Sequence, residues 1–161
     1  MMKRTIFIGQ AMPRFKSHPH DWPTLNVWLH SINITDTEIQ HDFFYSALVD
    51  YFPGAKKGSH LVPTEAEIAK KRPRLLKTIR DFKPEVVVPI GKLSTAYCLS
   101  QELLPLNKNI GRLFKADPYQ ALGYEVTVIP LPHPSGASTW RHKPENKLLL
   151  HRALDLLKSA I

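Results

Sequence analysis

Lys83-Pro84-Glu85-Val86-Val87-Val88-Pro89-Ile90-Gly91 sets three valines in a row between proline and glycine punctuation, with no polar residue among them. A strand with one wet face alternates apolar and polar side chains. A short, continuously apolar, β-branched run reads instead as a strand buried on both faces. Burial on both faces requires helices on both sides of the sheet. Lys92 to Leu104 follows with a helical pattern. Upstream, Thr64-Glu65-Ala66-Glu67 is a capping box that opens a helix running to about Phe82, with Ile68, Leu75, Leu76, Ile79 and Phe82 on one face and Pro73 expected to kink or divide it.

The same alternation extends to both ends. Thr5-Ile6-Phe7-Ile8 is a second continuously apolar strand, stopping at Gly9. Residues 10–23, with three prolines, read as a loop. Thr24 to Ile34 reads as a helix with Leu25, Trp28, Leu29 and Ile32 on one face, and His41 to Val49 as a strand. Pro53 to Ser59 is a loop, and Val126 to Pro130 is a fourth strand. Pro144 and Glu145 open a last helix carrying Leu148, Leu149, Ala153, Leu156 and Leu157. The expectation is one α/β domain over residues 1–161, a three-layer α/β/α arrangement around a four-stranded parallel sheet.

Composition narrows the partners. The chain of 161 residues carries 22 Lys and Arg against 14 Asp and Glu, a net charge of +8, and a sequence pI of about 9.7. That balance favours a polyanionic partner such as nucleic acid. A single cysteine, Cys98, excludes an intramolecular disulfide, a Cys₄ zinc site and a cysteine-ligated iron–sulfur cluster, and fits a reducing, cytoplasmic compartment. No apolar run nears the roughly 20 residues of a membrane helix, and Ile6-Phe7-Ile8 is too short for a signal-peptide core. A membrane partner is not expected.

In an open α/β sheet ligands sit beyond the carboxyl ends of the strands. Four loops qualify: Gly9 to Pro13, Ala47 to Asp50, Gly91 to Ser94 and Pro132 to Ser138. The last sets His133 between two prolines, which lower the entropy cost of holding the ring in one direction, and follows it with Ser135, Gly136 and Ser138.

Ile8-Gly9-Gln10-Ala11-Met12-Pro13, on a strand end, together with His133-Pro134-Ser135 after the last strand, resembles the two motifs of the uracil-DNA glycosylase superfamily. The first motif there reads Gly-Gln-Asp-Pro-Tyr or Gly-Glu-Ala-Pro-Gly, and the second His-Pro-Ser. Between them, Pro63 to Ile68 through Arg72-Pro73 and Lys83 to Gly91 are similar to the branch that carries an iron–sulfur cluster, but Tyr51 stands near where one of its cysteines would fall. The resemblance spans nearly the whole chain. It implies a four-stranded parallel sheet between helices and an enzyme that flips a damaged base out of DNA and hydrolyses its N-glycosidic bond, with no metal and no cofactor, as a monomer.

By that resemblance His133 stabilises the departing base and Gln10 and Ala11 occupy the water-positioning motif. Gly9, Met12 and Ala47 line the base site, and Trp22 or Phe15 stacks on the base. Ser94, Ser135, Gly136, Ser138, Trp140 and Arg141 meet DNA, with Trp140 or Arg141 as the wedge. The chain departs from the pattern twice. Neither Gln10 nor Ala11 is a carboxylate, and glutamine orients water but cannot act as a base. Ala47 stands where the family has an asparagine that reads the base, and the loss of that amide is expected to relax or change specificity. Asp50 is a turn or cap residue or a spare carboxylate. Lys70, Lys71, Arg72, Arg74, Lys77, Arg80 and Lys83 form a solvated helix face or contact phosphate. Besides a glycosylase, the sequence admits a nucleic-acid-binding member of the fold without catalysis, or a different nucleoside or nucleotide hydrolase, though no Gly-rich phosphate loop is present.

Overall fold

The structure, a computed structural model, describes residues 2–56, 59–135 and 138–161. In chain order it runs β1 (Thr5–Ala11), α1 (Pro23–Ser31), α2 (Asp36–Asp42), β2 (Phe43–Val49), β3 (Ala55–Lys56), β4 (Ser59–His60), α3 (Glu65–Phe82), β5 (Val86–Pro89), α4 (Gly91–Leu99), β6 (Phe114–Ala116), β7 (Val126–Val128) and α5 (Pro144–Ala160), with short 3₁₀ turns between. The main sheet has the order β2-β1-β5-β7-β6. The first four strands are mutually parallel, and β6 is antiparallel to β7.

The triple valine is the hub of this arrangement. β5 lies between β1 and β7, and its pleat sends Val86 and Val88 to one face and Val87 to the other. On the first face they meet Phe7, Tyr45, Leu25, Trp28 and Leu29 of α1, Ile39 of α2, and Leu150, Leu154 and Leu157 of α5. On the second, Val87 meets Ile6, Ile8, Ile68, Leu75 and Ile79 of α3, and Cys98 of α4. Both apolar runs are buried on both sides, as their lack of alternation requires.

Several expectations change. The sheet has five strands, not four, because Phe114–Ala116 adds an antiparallel edge. It is short, partly exposed and centred on Lys115, features that blunt a free edge and weaken the apolar signal. The second strand starts at Phe43, not His41, because Asp36–Asp42 is a helix with its own capping box, Thr35 to Glu38. The segment 53–59, expected as a loop, contributes β3 and one residue of β4, which pair antiparallel. α4 stops at Leu99 instead of Leu104, with Ser100 turning left-handed at φ 54°. α3 is not divided at Pro73. Pro73 and Ala69, whose carbonyl loses its helical donor to the proline ring, are both exposed, so the free acceptor faces solvent.

Candidate active site

Two parallel strands deliver the two motifs to one edge of the sheet. β1 ends in Gln10 and Ala11 and sends Met12 and Pro13 past its carboxyl end. After β7 the chain keeps bonding along β5, Ile129 N–H to the Val87 carbonyl at 3.0 Å and Leu131 N–H to the Pro89 carbonyl at 3.0 Å. This ladder carries Pro132, His133 and Pro134 to the same edge. Gly91 closes the opposite side of the turn: its φ is +83°, a conformation that favours glycine, and its N–H bonds to the Leu131 carbonyl at 2.9 Å.

The pocket there is lined by Gln10, Ala11, Met12, Pro13, Trp22, Phe52, Pro53, Leu61 and His133, and encloses about 30 Å³. That is room for water molecules, on the order of one or two. A larger cavity of about 500 Å³ opens between α3 and α4 and shares none of these residues. His133 meets Trp22 edge-on, with ring centroids 5.1 Å apart and planes at 80°. Trp22 in turn packs on Tyr45 at 5.9 Å and carries the Lys16 ammonium over its face at 4.4 Å. Trp22 is only 4% exposed, and its Nε1–H has no hydrogen-bond partner. The Ser135 N–H donates to Nδ1 of His133 at 3.2 Å. With Nδ1 accepting, the neutral ring carries its proton on Nε2.

The loop before Trp22 is braced from below. The Asp21 carboxylate accepts from the backbone N–H of Ser17 at 2.9 Å and of His18 at 3.0 Å, and the Ser17 bond leads the causes holding its pKa below the usual range. The His20 N–H donates to His18 Nδ1, and Asn26 Nδ2 donates to the His20 carbonyl at 2.7 Å. Trp22 therefore enters the pocket from a rigid turn.

Of the residues singled out in the sequence, Gln10, Ala11, Met12, Trp22 and His133 converge on the pocket. Gly9 and Ala47 do not line it. They are buried as facing partners in β1 and β2. Phe15 is not in this pocket either: it is 91% exposed. Ser94 is fully buried, its hydroxyl bonded to the Ile8 carbonyl and the Tyr119 phenol, both at 2.6 Å, so it has no face for a phosphate. Arg141 donates to the carbonyls of Ser135 at 2.8 Å and Ser138 at 3.4 Å and braces the His133 loop. Trp140 packs partly against the core, and its carbonyl accepts from Asn146. Gly136 lies outside the described residues.

The basic helix face is solvated at Lys70, Lys77 and Lys83, which are exposed, and its arginines are engaged with the protein itself. Arg74 reaches the Ala47 carbonyl at 2.7 Å and the Ser46 hydroxyl at 3.3 Å. Arg72 binds the Tyr119 carbonyl at 2.7 Å and Arg80 the Ala121 carbonyl at 2.6 Å. Asp50 is neither cap nor spare: it pairs with Lys71 at 3.2 Å and Arg74 at 3.6 Å. Sequence reasoning missed Tyr45, Phe52, Pro53 and Leu61. For Tyr45 a signal existed, since an aromatic one pleat before Ala47 on the same face of β2 must lie beside the β1 motif.

No carboxylate lines the pocket. Among the described residues, no three His, Cys, Asp or Glu side chains gather so as to hold a metal, and no helix is long and apolar enough to cross a membrane. No curated protein matches the sequence. The model of one family matches residues 3–158, so that this strand-end pocket and nearly all the chain around it belong to the uracil DNA glycosylase superfamily.

Proposed function

We propose that the protein is a monofunctional DNA glycosylase that hydrolyses the N-glycosidic bond of uracil or another deaminated base flipped out of DNA. The observation that carries this is the imidazole of His133, set in the pocket wall with Nδ1 occupied by the Ser135 N–H. A neutral ring fixed this way keeps a donor on Nε2. As the glycosidic bond breaks, negative charge collects on the base, and a donor placed beforehand stabilises it without reorganisation. The sugar side develops oxocarbenium character. A water oriented by the Gln10 amide adds to this centre and gives up its proton to the departing base anion, so the step needs no carboxylate. Flipping the base costs a few kcal/mol. The pocket must also widen from its present volume, and Met12, with its unbranched side chain, is the wall residue best able to give way. All of these groups come from one chain, so a monomer is a complete catalyst.

A second reading, a DNA-binding member without catalysis, draws on the missing carboxylate. One assay separates them. Duplex and single-stranded oligonucleotides carrying uracil, hypoxanthine or xanthine are incubated with the protein and tested for alkali-labile abasic sites. The expected result is release from at least one lesion, reduced about 10²–10³-fold in His133→Ala, with the variant's thermal unfolding unchanged. Salt-sensitive binding with no release from any lesion would establish the second reading.

A further inference from the structure

Phe15 is the most exposed large apolar residue among the described ones, at 91%. It does not stand alone. With Pro13, Arg14, Lys16, Phe52 and Ala55 it lines an open cavity of about 370 Å³, within the size range of small-ligand sites. Pro13 and Phe52 also wall the His133 pocket, so an occupant of one cavity adjoins an occupant of the other. The two residues beside Phe15 are cations, held in place over aromatic rings. The Arg14 guanidinium lies 4.9 Å from the Phe52 ring centre and the Lys16 ammonium 4.4 Å from that of Trp22.

We propose that Phe15 is a stacking platform for the base next to the flipped nucleotide, and that the protein therefore takes single-stranded DNA in preference to duplex. This rests on the reading of the His133 pocket as the site of a flipped base. An exposed aromatic flanked by cations is the arrangement by which single strands are held: the ring takes a base face and the cations take phosphates. In a duplex, flipping frees only the face of the neighbouring base that looks into the gap inside the helix, while its other face stays stacked and its edge paired. Only an open strand offers a free face to Phe15. Arg14 and Lys16 supply the charge complementary to the phosphates on either side of that base, while their contacts with Phe52 and Trp22 fix the loop against both pockets.

The test is binding, read by fluorescence anisotropy with the full chain. The probes are a single-stranded oligonucleotide with a central uracil, the same strand with abasic nucleotides on both sides of the uracil, and the uracil-containing duplex. Phe15→Ala is expected to weaken binding to the first probe about 5- to 100-fold, Phe15→Trp to restore it, and duplex binding to stay unchanged. On the strand flanked by abasic nucleotides, wild type and Phe15→Ala should bind alike, because the stacking partner is gone. Equal binding of wild type and Phe15→Ala to the first probe overturns the proposal, as does an equal loss on the abasic-flanked strand. The readout does not depend on catalysis: a Phe15 effect without base release from any lesion leaves this proposal standing and removes only the glycosylase reading.

Discussion

At the scale of single residues, two neighbours in the sheet explain why the first motif begins with glycine. A Cβ built on Gly9 would lie 2.3 Å from the Tyr45 hydroxyl oxygen and 3.3 Å from the ring carbon that bears it. Gly9 is thus a spacer for the Tyr45 phenol, which backs Trp22, and not a wall of the pocket. Gly9→Ala should destabilise the protein by about 1–3 kcal/mol, the usual cost of overpacking a filled core. Tyr45→Phe removes the offending oxygen and leaves a contact that yields by a few tenths of an ångström. Denaturant unfolding of the double variant should therefore recover most of the loss. Additive destabilisation would show that the phenol does not set the constraint. The glycine was legible in the sequence. Its reason was not, because it depends on the register that puts Gly9 opposite Ala47 and one pleat from Tyr45.

At the scale of elements, the signals that survived were those carrying their own local chemistry. The Thr64 hydroxyl accepts the Glu67 N–H at 3.1 Å and the Glu67 carboxylate accepts the Thr64 N–H at 3.1 Å, as the Thr-x-x-Glu spacing demands. The same spacing at Thr35 and Glu38 opens α2, whose seven residues offer only Ile39 to the core and so carry no apolar period to mark a helix. Thr35→Ala and Thr64→Ala should each cost about 1 kcal/mol in unfolding experiments. The basic face of α3 is solvated at Lys70, Lys77 and Lys83, while its arginines turn back onto the protein. Residue type alone does not distinguish an arginine aimed at solvent from one aimed at a buried carbonyl. Arg74→Ala leaves the Ala47 carbonyl inside the fold without its donor and should cost about 1–3 kcal/mol. Lys70→Ala, on the exposed side, should stay within about 0.5 kcal/mol. Equal effects of the two would return α3 to a solvated face. Arg74 also links α3 to β2 beside the pocket, so on the proposed glycosylase reading its loss should lower base release more than stability alone accounts for.

At the scale of the whole molecule, the fold class was legible because burial on both faces is written into two uninterrupted apolar runs, whereas β6, a three-residue edge, has no such requirement to meet. The buried titratable groups follow from that architecture. Burial raises the Cys98 thiol and the Tyr45 phenol above their ordinary values, and likewise Tyr119. Tyr51, which donates to Glu67, is pushed up to about 12, first by that hydrogen bond. On the acid side, Glu67 is held down first by the Tyr51 hydroxyl. Asp50 is also held down: burial works against this, but Lys71 and Arg74 outweigh it. The signs are opposite for the two sets. Carboxyls with lowered pKa stabilise the fold above their unfolded values near 4, and that stability is lost as the pH falls through the folded ones. Phenols and the thiol with raised pKa stabilise it below unfolded values of about 8.5 to 10, and that stability is lost as the pH climbs past them. Stability measured by urea unfolding should therefore be level between about pH 5 and pH 8 and fall on both sides. Tyr51→Phe should soften both limbs, since it removes a phenol from the alkaline side and the donor that lowers Glu67 on the acid side. Cys98, buried within the α4 face, should react with a thiol reagent at pH 8 only at the rate of unfolding, and that rate should rise in Gly9→Ala. Rapid labelling of the native protein at pH 8 would show instead that the α4 layer opens independently of the sheet.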